Sequence, residues 1–460
     1  MPDWAIQILP LLGLLLAVAL VLSLLPKVDL GHSPAYRRRR LLNWVPLGLT
    51  YAFLYFGRYN LSAIAGELDK VGALSRAEFN HIDGVGAWVY GISFLINGPL
   101  ADRFGGRLTM MAATGGSALM NLGMAFAMKQ VAADGHVGES LVFLNAANMY
   151  FQSFGAVSIV KVNAPWFHVR ERGVLGGLFG VLISLGLYFS YDWSLLLARG
   201  IGVEAAFWMP AIVLAGCLLV TMLIVRDSPS QAGFADFDTG DASSGQTGSL
   251  PLVDVLRRMF SQRVIWIIVG IEFCSGFLRQ GVMKQFRLYA KAVGEGDSFV
   301  YEHWGLLLCM AGILGGVFAG FISDHVFGSR RGPVSSVLYG GLLAGAIFAF
   351  FSVGTPALGW AVVGMSLCVI GVHGMLSGTA SMDFGGTKNA GVVTGVIDGF
   401  VYLGTGTQAF LYGVVLPVGE ASRDAANWRI WPGAMIPVAL VGLLLCGSIW
   451  NARPKRAGSH

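Results

Sequence analysis

Charge is what this chain has least of. Asp, Glu, Lys and Arg make up only 12% of its 460 residues, while 55% are hydrophobic, and the mean hydropathy is +0.65. A water-soluble domain keeps roughly a quarter of its residues charged, so a soluble enzyme or a nucleic-acid-binding domain is excluded. Alternating segments of about ten residues, the mark of a membrane β-barrel, are also missing. Cysteine is sparse, and all five (Cys217, Cys274, Cys309, Cys368, Cys446) fall inside apolar runs. They read as packing residues, which leaves no disulfide framework. The eight histidines are scattered. With no metal-spaced cluster, nucleophile elbow or acyltransferase pattern, the chain is expected to be no enzyme and to hold no metal or cofactor.

Long apolar runs are what it has instead. A hydrocarbon core of about 30 Å needs about 20 apolar residues per helix. Thirteen such runs are read at approximately 4–25, 43–65, 77–101, 107–128, 140–163, 173–197, 204–225, 263–290, 302–323, 334–353, 357–380, 390–416 and 430–450. The first begins "MPDWAIQILP", with no basic n-region and no small-x-small cleavage site after it, so it is expected to stay as a helix. The fold class that follows is an all-α integral membrane protein.

Of the 31 lysines and arginines, nineteen collect on alternate loops, including "YRRRR" (36–40), Arg103 with Arg107, and the tail "NARPKRAGSH"; seven lie on the other set. Basic residues mark the cytoplasmic side. This places the N-terminus outside and the C-terminus inside, as an odd helix count demands. The net charge of +5 then faces anionic lipid and needs no nucleic-acid partner. The five remaining cations, Arg58, Lys161, Arg279, Lys284 and Arg287, lie inside apolar runs.

The chain also repeats itself. "GPLADRFGGR" (98–107) is echoed in "AGFISDHVFGSRRG" (319–332), with Asp102 and Asp324 lying 222 residues apart. Gly173 and Gly391 in two further matching stretches are 218 apart, and Arg58 and Arg279 are 221 apart. Two parallel six-helix halves joined by a polar linker follow from this offset. In such an architecture a substrate site lies near mid-membrane between the halves.

"GPLADRFGGR" resembles the loop between the second and third helices of the major facilitator superfamily. Together with Arg58 in "FGRYNLSAIAGEL", "WFHVRERGVLGG", "RDSPSQAGF" and Arg279 in "FLRQGVMKQF", it makes residues 41–450 similar to the organophosphate:phosphate antiporters, the glycerol-phosphate and hexose-phosphate exchangers. The resemblance implies two pseudo-symmetric six-helix bundles at 41–226 and 263–452, a cytoplasmic linker at 227–262 and a cytoplasmic tail at 453–460. An additional helix at 1–30 lies outside it. The location implied is a bacterial inner membrane, with membrane lipid around a single chain and a partner protein docked, if anywhere, on the first helix.

An arginine at mid-bilayer costs about 2.5–3.5 kcal/mol and usually faces a cavity. Guanidinium forks meet phosphate oxygens two at a time, and the resemblance implies that Arg58 and Arg279 bind the phosphate of a small anionic substrate. Tyr59, Lys284 and Arg287 are the further substrate candidates, one of the last two lining the cavity while the other snorkels to the surface. Glu272, Asp83 and Asp398 are the proton-coupling candidates. Glu272 stands seven residues before Arg279 on nearly the same helix face, so an Arg279–Glu272 pair is the structural alternative. Asp83 follows the capping box "SRAE" (75–78) and also fits an interfacial place. The resemblance assigns Asp102, Arg103, Arg107, Asp324 and Arg331 to a cytoplasmic gate, and Lys161 is expected to reach the headgroups.

The resemblance has gaps at the site. Tyr59 stands where the exchangers carry a lysine after the first arginine, Phe94 replaces a second-helix lysine, Ala164 or Pro165 replaces a fourth-helix histidine or asparagine, and "KQFR" replaces a "DW-x-P" stretch. Exchange of an organic phosphate or related anion for phosphate is the expected function. The alternatives are a proton-coupled carrier of another anion or amphiphile, and a membrane sensor of the same fold.

Overall fold

The computed structural model describes residues 31–451 apart from 71, 135–137, 169–180, 240–256, 258–259, 262, 323–325 and 328–330. The helix read at 1–30, the tail 453–460, most of the linker and Asp324 lie outside the described residues. Eleven long helices are named here: α1 (Pro34–Lys70), α2 (Arg76–Phe104), α3 (Gly106–Asp134), α4 (Gly138–Asn163), α5 (Val181–Gly200), α6 (Ala205–Ile224), α7 (Arg263–Ala292), α8 (Trp304–Phe321), α9 (Arg331–Ser352), α10 (Ala357–Val415) and α11 (Ile430–Ser448).

The runs read at 357–380 and 390–416 are one unbroken helical stretch, α10, of 59 residues. At 1.5 Å per residue this is far longer than a bilayer is thick, and its two arms pack on different partners. Leu367 and Gly371 in the first arm meet Gly315 of α8, whereas Gly399 in the second meets Gly91 of α2. Counting the two arms of α10 separately, the described residues form twelve long helical segments, six in α1–α6 and six in α7–α11.

The capping box read from "SRAE" is present. Ser75 accepts from the Glu78 amide, and Glu78 reaches back to the Ser75 amide at 2.8 Å. The glycine pair in "GPLADRFGGR" has a geometric reason as well. Gly105 turns the chain between α2 and α3 at φ +87°, in the left-handed region that favours glycine, and a side chain there would meet Asp227 Oδ2 at 2.7 Å. Asp227, from "RDSPSQAGF", accepts from the Arg107 amide at 2.7 Å and so caps the start of α3.

Inside the first half, neutral amides hold α1 in place. Asn121 and Asn148 both donate to the Gly57 carbonyl, at 3.0 and 2.8 Å, and Asn60 donates to Asn121 at 2.8 Å. These bonds fix the turn of α1 that carries Arg58. Membrane hydrogen bonds contribute well under 2 kcal/mol each, so Asn121→Ala, which breaks two of these three, is expected to destabilise the protein by about 2 kcal/mol. A thermal melt in detergent checks this; an unchanged Tm would show that the network carries no stability.

Candidate functional site

Arg58 on α1 and Arg279 on α7 are both only 4% exposed. Arg58 is well served by neutral groups. Its Nε and Nη2 donate to Gln152 Oε1 at 3.2 and 3.1 Å, and its Nη1 donates to the Tyr402 hydroxyl at 3.1 Å. The rings of Tyr55 and Tyr90 lie 4.4 and 4.8 Å from its Cζ, so π-faces supply the negative potential that a carboxylate would otherwise supply. Gln152 is itself fixed, donating to the Leu54 carbonyl at 2.9 Å.

Arg279 is served differently. Its Nε and Nη2 are buried with no hydrogen-bond partner, and its Cζ lies 5.6 Å from the Tyr402 ring. Tyr402, on the second arm of α10, is thus shared by the two arginines of opposite halves. Among the described residues neither arginine forms an ion pair, and the alternative Arg279–Glu272 pair is not made. Glu272, fully buried, is instead 3.4 Å from His373 Nδ1 of α10's first arm. A buried guanidinium N–H left without a partner is costly. Two of them, on an arginine that shares Tyr402 with Arg58, leave donors able to receive an acceptor of opposite charge.

The remaining candidates fall into other places. Lys284 and Arg287 are both buried, and neither snorkels. Lys284 pairs with Asp83 of α2 and lies 5.3 Å from the Tyr59 ring, because α2 of the other half covers it before it could reach the surface. Asp83 consequently sits in a contact between the halves, not at the interface with headgroups. Arg287 donates to the Ala63 carbonyl at 2.9 Å and stacks on Tyr301 at 4.3 Å. Tyr59 accepts from Gln280 at 3.0 Å. Asp398 is buried one turn before Tyr402 on α10.

At the basic end, Lys161 does not extend to the headgroups but meets Asp102 at 2.7 Å. The shorter span between α4 and α2 inside one half offers it a carboxylate first. Arg103 is exposed over Phe104, while Arg107 donates to the Met222 carbonyl. Arg331 opens α9.

Toward the end opposite the basic loops, the halves are joined repeatedly. Lys291 meets Glu67 at 2.8 Å, and Arg199 spans Glu67 and Glu302 at 3.2 and 2.8 Å. Gln285 donates to Asn80 at 3.0 Å. Asp192 lies in a five-residue π-helical stretch of α5 and accepts from the Gly305 and Leu306 amides at 2.7 and 2.9 Å, capping α8 of the other half. The site is therefore closed at that end.

Gln152 and His373 escape a reading of the sequence. Gln152 is one neutral amide among several in α4, and His373's partner lies 101 residues away. No spacing rule links either to an arginine.

Two helical halves, each contributing a buried arginine from its first helix, are matched by comparison with known proteins: residues 47–408 match the Major Facilitator Superfamily. The chain belongs to that superfamily. Its fold is accordingly the all-α, two-bundle membrane fold of these transporters. The glycerol-3-phosphate transporter of Bacillus subtilis is 26% identical over 459 residues, covering 93% of this chain and 96% of the relative. A probable hexose phosphate transport protein of Chlamydia pneumoniae is 23% identical over 454 residues, covering 92% and 94%. These relatives accord with the resemblance carried by the loop motif and the two arginines. A bacterial homologue of the human lysosomal transporter Spinster, in an inward-facing and unoccupied conformation, shares the fold at TM-score 0.68 and 13% identity, over 93% of this chain and 100% of its own.

Proposed function

We propose that this chain is a secondary carrier that exchanges an organic phosphate, or a closely related organic anion, for inorganic phosphate across a bacterial inner membrane. The anion lies between Arg58 and Arg279. The observation that carries this reading is the pair of unpartnered Arg279 N–H groups beside Tyr402, which also bonds Arg58. Relatives named for glycerol-3-phosphate and hexose phosphate support the substrate class.

With the basic loops cytoplasmic, the end closed by Lys291, Arg199 and Asp192 faces outward, and the conformation is sealed on the outside. A doubly charged phosphate bridging the two guanidinium groups offsets their repulsion and draws the halves together. An empty carrier lacks that bridge and reorients slowly. Net exchange, rather than net uptake, follows from this.

The test is counterflow in liposomes holding the purified protein. Labelled glycerol-3-phosphate and glucose-6-phosphate are offered outside, with inorganic phosphate inside or absent. Saturable uptake that requires internal phosphate is expected. Uptake driven by a pH gradient without internal phosphate would favour a symporter. Thermal stabilisation by these ligands with no flux in either direction would make the protein a sensor.

A further inference from the structure

Glu272, buried, and His373, half-buried, form a titratable pair outside the hydrogen-bond shells of the two arginines. Glu272 is 0% exposed, one oxygen lying 3.4 Å from His373 Nδ1 and the other without any hydrogen-bond partner. A fully ionised carboxylate held by one long contact is poorly compensated in such a place. A proton shared with the imidazole removes most of that cost. The pair also has a charged neighbour. Arg279 stands seven residues along the same helix, about 10 Å of rise and nearly the same face, and it acts electrostatically on both Glu272 and His373.

We infer that Glu272 and His373 are a proton site whose hold on one proton strengthens when an anion docks on Arg279 and weakens when it leaves. This deepens the proposed exchange and rests on it. With Arg279 bare, its positive charge opposes the proton that burial of the pair favours. A docked phosphate cancels that charge. The proton is then held more tightly, either as the carboxylic acid or as the imidazolium facing the carboxylate. Because the two effects are reciprocal, the anion binds more tightly where the proton is available, at lower pH. Unit charges about 10 Å apart at an effective dielectric of about 20 change proton affinity by about tenfold, which bounds the coupling.

The other groups facing the pair do not carry this charge change. Tyr339 of α9 donates its hydroxyl to the Ile271 carbonyl, and Cys274 of α7 and Cys446 of α11 are buried thiols. Asp398, from the second arm of α10, acts on His373 and is the rival carboxyl among the described residues.

Equilibrium binding of radiolabelled inorganic phosphate to purified wild type and Glu272→Gln, between about pH 5.5 and 8.5, tests the inference. The titration of phosphate itself is common to both proteins and cancels in their ratio. Wild-type affinity relative to Glu272→Gln is expected to fall about tenfold in total as pH rises. Should Glu272→Gln fail to fold, His373→Gln is expected to move the midpoint of the pH dependence. Parallel curves for wild type and variants would overturn the proton site. So would a pH dependence abolished by Asp398→Asn while Glu272→Gln retains it. An absence of phosphate binding in wild type, or binding indifferent to Arg279→Gln, is a different result: it removes the exchange reading and this inference together.

Discussion

Arg279→Lys is expected to reduce phosphate exchange in liposomes about a hundredfold or more, with the thermal stability of the unliganded protein nearly unchanged. Lysine keeps the charge but not the planar fork. Two guanidinium N–H groups of Arg279 stand without partners, so a bound oxyanion is the group that would satisfy both at once. A hydrogen bond to a charged group contributes about 1.5–3 kcal/mol; losing one of two is worth about ten- to a hundredfold, and the poorer fit of the ammonium adds to it. Arg58→Lys should differ in a diagnostic way. Arg58 already has Gln152 and Tyr402 as partners in the unliganded protein, so its replacement is expected to lower both exchange and the melting temperature. Initial counterflow rates and melting curves for the two variants check this together. Full exchange in both would remove the arginines from the site, and equal thermal losses would remove the asymmetry between them.

That asymmetry was not legible in the sequence, whereas the arginines themselves were. A cation inside an apolar run stands out against a background that charges a fixed cost for it, and the 221-residue offset pairs the two without any knowledge of structure. Gln152, Asn121 and Asn148 do not stand out. Neutral amides are tolerated in membrane helices, and which of them faces an arginine depends on helix rotation and on contacts 61 to 98 residues away. Charge pairing was equally hidden. Lys161 and Asp102 are separated by 59 residues, and Lys284 and Asp83 by 201, so a reading based on neighbours along one helix sends Lys161 to the headgroups, allows Asp83 an interfacial place and leaves either Lys284 or Arg287 to snorkel. The unbroken α10 was missed for a related reason. The polar stretch around Lys388 reads as a loop because charge is costly in lipid, yet polar residues outside the bilayer are free to remain helical.

Breaking the buried pair between the halves should move the conformational equilibrium rather than the chemistry. Asp83→Asn leaves Lys284, only 2% exposed, charged and without its carboxylate in the closed arrangement. Removing one partner of a buried ion pair costs about 3–5 kcal/mol. That cost falls on the closed state alone, since parting the halves lets water reach the ammonium, so the fraction open at this end should rise about a hundredfold or more. Ala63 reports on it: it is buried, and its carbonyl accepts from Arg287 of the other half. In a background freed of the five native cysteines, Ala63→Cys should react with a membrane-impermeant maleimide added outside far faster when Asp83→Asn is present. The double replacement Asp83→Leu with Lys284→Met removes both charges and restores an apolar contact, which commonly matches or exceeds a buried ion pair in stability. Labelling should then return toward the level of the intact pair. If the double variant labels as fast as Asp83→Asn, the pair does not hold the halves together by charge compensation. If neither variant changes labelling, the closed end is secured by Asp192, Arg199 and Lys291 without it.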